Sequence, residues 1–223
     1  MGWFSNACSA VGSFVSSAIS TVGNAIKTVG EKITTTAKAF LSIGVKVFET
    51  VAKIIVEIAK ALGLVDENET EEEIGAKTEV AEKNRDEFDS DKAYLEYLRK
   101  DVELPKGYID DLSKEEKLAA RAKGAALLGS TISEELDYEI DPTFWLTAAR
   151  KGFDAKETYS IIEKFKVNDL ESTDLMEFSE NKLSPEFSQK TAEVIREALR
   201  SDDVGMGEME AKEAVIDLKQ LED

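Results

Sequence analysis

Histidine is absent from this chain of 223 residues, and Cys8 is the only cysteine. The chain therefore cannot form a Ser-His-Asp or Cys-His catalytic pair, a histidine-bound metal site, a multi-cysteine zinc site or an internal disulfide. The carboxylates single out no glycosidase-like pair, and the sequence contains no EF-hand loop. We expect no catalytic activity, no bound metal and no cofactor.

Proline is also scarce, with three residues, and alternating β-branched runs are few. Alanine, glutamate, lysine and leucine recur instead at helical spacing, and these are strong helix formers. Apolar residues make up 42% of the chain and charged residues 33%, which suits a globular protein. The sequence predicts an all-α fold.

Positive charge is concentrated near the start of the chain. Residues 1–64 hold six lysines and three glutamates, a net charge of +3, which leaves −21 for residues 65–223. The first part suits an anionic lipid surface, whereas the second repels lipid and nucleic acid alike. We expect no nucleic-acid partner. The start of the chain lacks the basic region of a cleaved secretory signal, so we expect any secretion to use a route without one.

Composition divides the chain into four predicted parts. Residues 1–64 form an amphipathic membrane-active segment, and residues 65–75 form an acidic linker. Residues 76–200 form an acidic helical domain, and residues 201–223 form a C-terminal helix or tail.

An eleven-residue repeat occupies residues 10–64, in five consecutive blocks. Eleven residues in three turns is about 3.67 per turn, so equivalent positions stay on nearly the same face of a helix. One face is apolar, and two aromatic residues precede it in the chain. We predict that this face and the two aromatic residues contact a membrane through Trp3, Phe4, Val11, Val15, Val22, Ile26, Ile33, Phe40, Phe48, Val51, Ile55 and Leu62. The other face ends in a charged row, which we predict to be polar or pore-lining: Lys46, Glu49, Lys53, Glu57 and Lys60.

This pattern predicts a long amphipathic helix, or a helical hairpin with a bend near Gly30–Thr36. A single conventional membrane span is excluded by the charged row, since each charge costs roughly 2.5–3.5 kcal/mol at mid-bilayer. Two membrane arrangements remain. The helix lies in the interface, or several copies insert together and turn the charged row toward water.

The same repeat also suits a coiled coil or a long helix packed in a bundle. Three features favour the membrane: the apolar side is broad, the first half of the polar side has few charges, and Trp3 and Phe4 stand at the tip.

Helix signals in the acidic part are local. Residues 76–100 are typical of one polar helix. Ser113 and Glu116 form a capping-box pattern that predicts a helix to about Leu128, with Gly129 as its stop. Three further helices are predicted to open at Asp141-Pro142, Asp154 and Ser184-Pro185, around a core that contains Trp145.

The Gly/Ser/Ala-rich start of the chain, MGWFSNACSAVGSFVSSAISTVGNAIKTVGEKI, and the helix after it resemble small bacterial pore-forming effectors delivered by type VI secretion. The resemblance implies a toxin that depolarises a competitor's membrane, with a cognate immunity protein as partner. It carries over no functional residue.

We therefore predict a membrane-inserting protein, a pore-forming bacterial toxin or effector that acts through its N-terminal helices and self-associates in a lipid bilayer. It would be soluble in the producer, where the acidic helices or an oligomer shelter its apolar face and an immunity or chaperone protein is a possible partner. In a target cell it would be membrane-associated. The alternatives are a structural or assembly protein, such as a phage virion component, and a protein that coats membranes without making pores. Aspartate at Ile26, Phe40 and Phe48 is expected to abolish leakage and leave residues 76–200 folded.

Overall fold

The computed structural model describes the backbone of residues 3–220 and the side chains of residues 14–25 and 27–220. Within these residues the chain is all-α, as predicted, with twelve α-helices and no strand. The helices are α1 Trp3–Asn24, α2 Ile26–Ser42, α3 Val45–Ala61, α4 Glu71–Val80, α5 Asp91–Lys100, α6 Tyr108–Asp111, α7 Lys114–Glu135, α8 Pro142–Lys151, α9 Ala155–Val167, α10 Thr173–Ser179, α11 Pro185–Leu199 and α12 Glu208–Leu218.

Two compact units divide the chain between residues 136 and 137. This division differs from the predicted linker at residues 65–75, because the first unit joins the N-terminal helices to α4–α7. Much of the acidic run begins a helix instead of forming a linker. Thr70 caps α4 by accepting a hydrogen bond from the Glu73 amide at 3.2 Å, and three glutamates occupy the first turn, where the helix dipole favours negative charge.

The N-terminal segment consists of three helices rather than one long helix. Backbone breaks separate them at Ala25 and at Gly44, which has φ +93°. A further kink inside α2 lies at Gly30, with φ +79°, within the range where the sequence predicts a bend. Positive φ together with ψ of 165° at Gly30 and 151° at Gly44 is a conformation essentially restricted to glycine, so these two residues set where the segment changes direction.

α7 is the central helix of the first unit and contacts α1, α2, α3, α4 and α5. Its capping box is as predicted: the Glu116 amide donates to Ser113 Oγ at 3.2 Å, and the Ser113 amide donates to Glu116 Oε2 at 2.8 Å. The predicted end near Leu128 is wrong, since the helix runs to Glu135. Gly129 is buried, and packing on all sides outweighs the roughly 1 kcal/mol that an interior glycine costs a helix.

Residues 76–100 do not form the single helix that the sequence predicts. α4 ends at Val80, a short 3-10 turn spans Arg85–Glu87, and α5 follows. Two local caps cause the interruption. The Asn84 amide donates to Glu87 Oε1 at 2.7 Å, and the Ala93 amide donates to Ser90 Oγ at 3.0 Å.

The second unit contains α8–α12. All three predicted helix starts are confirmed, because amide groups donate to Asp141 Oδ1 at 2.8 Å, to Asp154 Oδ1 at 2.9 Å and to Ser184 Oγ at 3.3 Å. Trp145 is buried as predicted and packs edge-on to Phe144, with ring centroids 5.8 Å apart. α12 packs on α11 and buries Ala211 and Leu218.

Candidate functional site

The candidate site is the apolar face of α1–α3, which we call the N-terminal apolar face. Six residues of the predicted membrane-facing set are buried: Val22, Ile33, Phe40, Phe48, Val51 and Ile55. Val15 and Leu62 are half-buried. The side chains of Trp3, Phe4, Val11 and Ile26 lie outside the described part. Most of the described apolar positions of the repeat thus lie on the inside of the first unit.

Much of the surface opposite this face belongs to α7, whose inward residues are mostly alanine, glycine and leucine. Small side chains allow helices to approach closely, and apolar atoms on both sides exclude water. Phe40 and Phe48 stack with ring centroids 6.5 Å apart. The Arg121 guanidinium of α7 lies 5.7 Å from the centre of the Phe48 ring.

The contact between α4 and α7 is of a different kind. A Cβ added at Gly124 would lie 1.8 Å from the Glu71 carbonyl oxygen, and one at Gly75 would lie 1.8 Å from that of Ala120. The two backbones therefore touch, and only glycine fits at both crossings. The Arg121 side chain adds an ion pair to Glu71 at 2.8 Å. This glycine-mediated pair of helices forms the frame on which α1–α3 lie.

Polar links between α1–α3 and this frame concentrate on α3. Glu49 lies 3.8 Å from Arg121 of α7, and the Lys60 ammonium donates at 2.6 Å to the Glu67 carbonyl oxygen in the loop that leads from α3 to α4. Otherwise the described packing of α1–α3 on α7 is apolar in character. Helices that are held mainly by apolar contacts can exchange those contacts for contacts with lipid, and few hydrogen bonds are then left without a partner.

The predicted charged row lies on the outer face of α3. Lys46, Glu49, Lys53 and Glu57 are exposed and Lys60 is half-buried. Lys53 and Glu57 approach to 3.8 Å, one helical turn apart. The row therefore faces away from the N-terminal apolar face, as an amphipathic helix requires.

Four charged residues are buried in the described part of the chain, Lys77, Asp91, Lys123 and Asp174, and none of them was predicted from the sequence; Lys123 is the most deeply buried. Lys123, near the middle of α7, is 1% exposed and its ammonium donates to the Glu79 carboxylate of α4. Burial lowers the pKa of Lys123 to about 8, while the adjacent carboxylate favours the charged form. The missed signal is local: the residues three and four positions away on both sides, Ala119, Ala120, Ala126 and Leu127, are all apolar.

This ion pair borders a cavity of about 190 Å³. Thr21 and Asn24 of α1 form part of its wall, together with Tyr108 and Glu116. The cavity therefore lies where the junction of α1 and α2 covers α4 and α7.

No helix in the described part of the chain is both long enough and apolar enough to cross a membrane. No group of three or more potential ligand side chains there is placed to hold a metal ion. Comparison with known proteins gives no match to a protein-family model, a curated protein or a solved structure.

Proposed function

We propose that this protein is a membrane-inserting protein, a pore-forming bacterial toxin or effector whose N-terminal helices leave the frame of α4 and α7 and enter lipid. The observation that carries the proposal is the N-terminal apolar face itself. It runs through three successive helices, and six of its eight described residues are buried in the first unit while the charged row lies outside.

Transfer to lipid preserves the burial that this face has at rest. Each fully buried valine, isoleucine or phenylalanine contributes about 1.5–3 kcal/mol relative to exposure in water. Both the closed unit and the bilayer keep these side chains out of water and so provide this stabilisation. The free-energy difference between the two environments is therefore small compared with the total gained by burial. Gly30 and Gly44 interrupt the layer, and such breaks allow the helices to detach one after another.

In the bilayer, the charged row would face water. Several copies that associate through their helices would turn Lys46, Glu49 and Lys53 toward a common wet path, which avoids the cost of charge in hydrocarbon. The partners implied are the lipid bilayer and further copies of the chain. An immunity or chaperone protein that keeps the layer closed in the producer belongs to the same proposal, as does secretion followed by membrane association in a target cell.

A covalent clamp between α3 and α7 tests the proposal. Cys8 is the only cysteine, so Cys8→Ser provides a background in which Glu49→Cys and Arg121→Cys can be joined by a bis-maleimide linker that contains a disulfide. The clamped protein should release no dye from vesicles of phosphatidylcholine and phosphatidylglycerol, and reduction of the linker should restore release. Each single-cysteine variant, treated with the same reagent, is the control. Equal release before and after reduction would show that α3 does not need to leave α7.

The covalent clamp tests the release of α3 more directly than aspartate substitutions in the apolar face would. Phe40 and Phe48 are buried against other helices at rest, so a carboxylate at either position costs folding energy in the whole first unit. The expectation that residues 76–200 stay folded in such a variant therefore conflicts with the packing. Ile26 lies outside the part whose side chains are described.

An assembly protein is the second candidate, and one observation favours it. Six described residues of the N-terminal apolar face are buried inside the first unit, as they would be in a helical bundle. This candidate predicts neither flotation with vesicles nor dye release. A membrane coat predicts flotation without release, so the two measurements together separate all three functions.

A further inference from the structure

The two members of the ion pair between Lys123 and Glu79 differ in their access to water. The Lys123 side chain is 1% exposed, whereas the Glu79 side chain is 40% exposed. Removal of the ammonium leaves a carboxylate that water can reach. Removal of the negative charge leaves a cation inside the first unit without a counter-charge, and this second state is far more costly.

The junction of α1 and α2 provides part of the cover over this pair. Thr21 and Asn24 line the same cavity as Lys123 and Glu79. If the junction lifted away, water would reach and hydrate the ammonium, and the cost of burying Lys123 would disappear. That cost belongs to the arrangement in which the junction covers the pair. The lowered pKa of Lys123, about 8, expresses the same penalty on its charged form.

Glu79 is the carboxylate of this cavity that accepts the Lys123 ammonium. Glu116 also lines the cavity, and its Oε2 atom accepts the Ser113 amide at 2.8 Å in the capping box of α7. Tyr108 brings a phenol, and Thr21 and Asn24 bring uncharged groups. Glu79 is thus the group that balances Lys123 while the junction is closed.

We propose that the ion pair between Lys123 and Glu79 is the latch of an autoinhibitory contact, and that loss of the Glu79 charge releases the N-terminal helices from α4 and α7. The consequence of release at a membrane rests on the proposed function. The release itself is a property of the protein in solution and is tested there.

Hydrogen exchange followed by mass spectrometry on the full-length protein gives that test. Glu79→Gln keeps the shape of the side chain and removes its charge, so we expect amide exchange across residues 18–34 to accelerate by roughly 100-fold. Lys123→Met should leave exchange there within about threefold of the parent, because the remaining carboxylate can be hydrated. In the double variant Glu79→Gln with Lys123→Met, exchange should return to nearly the parent rate.

Glu96→Gln is the matched control, because it removes the partner of Lys100 in an exposed ion pair of α5. It should leave exchange in residues 18–34 unchanged. The latch is refuted if Glu79→Gln and Lys123→Met accelerate exchange equally, if the double variant does not rescue, or if α4 and α7 lose protection together with α1. Dye release from vesicles forms a separate arm: faster exchange without faster release would keep the latch and refute the membrane role.

Discussion

Truncation of Phe48 tests the physical attachment of the N-terminal helices to α7. This side chain is fully buried, stacks on Phe40 and lies beside the Arg121 guanidinium. A buried phenylalanine replaced by alanine costs about 3–5 kcal/mol, through lost transfer energy and the cavity left behind. Domains are stable by about 5–15 kcal/mol, so Phe48→Ala removes a large share of what holds the first unit together.

The assay has two parts. Urea denaturation should report a loss of about 3–5 kcal/mol, and Phe48→Leu should lose clearly less because most of the volume remains. Hydrogen exchange should then locate the effect, with α2 and α3 losing protection while α4 and α7 keep it. Lys53→Ala, on the exposed face of α3, is the control and should change stability by less than about 0.5 kcal/mol. A loss below about 1 kcal/mol for Phe48→Ala would mean that this face is not a packed core.

Gly124→Ala should destabilise the first unit by about 1–3 kcal/mol in thermal denaturation, since its Cβ would meet the Glu71 carbonyl oxygen. The pKa of Lys123 is about 8 in the folded protein and 10.5 in its ordinary state, so the unfolded chain binds more protons between these two pH values. The free energy of unfolding should therefore rise with pH in this range, by up to about 3 kcal/mol. Lys123→Met should abolish the rise. A fragment of residues 137–223 should fold by itself, because it is a compact unit in which Trp145 packs on Phe144. The fluorescence of Trp145, the only tryptophan of the fragment, should be blue-shifted and should report a cooperative thermal unfolding transition. A fluorescence spectrum typical of water-exposed tryptophan would refute this.

Local patterns in the sequence predicted local structure well. The capping residues Ser113, Asp141, Asp154 and Ser184 each satisfy amides that a helix start would otherwise leave unpaired, and this requirement acts within four residues. The eleven-residue repeat likewise picked out six residues of α1–α3 that are buried in the structure. Both signals depend on neighbours along the chain, so a single sequence contains them in full.

Tertiary packing explains the differences. The acidic run at residues 65–75 suggested a linker, but Thr70 begins a helix whose Gly75 touches α7 about 45 residues further along the chain. Gly129 suggested a helix end, but its surroundings in the core keep α7 continuous. The pairing of Lys123 with Glu79 joins two helices and requires the fold to be known. The composition of a segment does not reveal which distant helix will cover it.

In the proposed function, α3 lies on α7 at rest and leaves it for lipid. The most direct measurement is the distance between spin labels at Lys53→Cys on α3 and Lys114→Cys on α7, both exposed positions, in the Cys8→Ser background. In solution the distance distribution should be narrow. Addition of anionic vesicles should shift it to longer and broader distances in the fraction of protein that floats with the vesicles. A distribution that stays unchanged in floated protein, or a protein that never floats, would contradict the account.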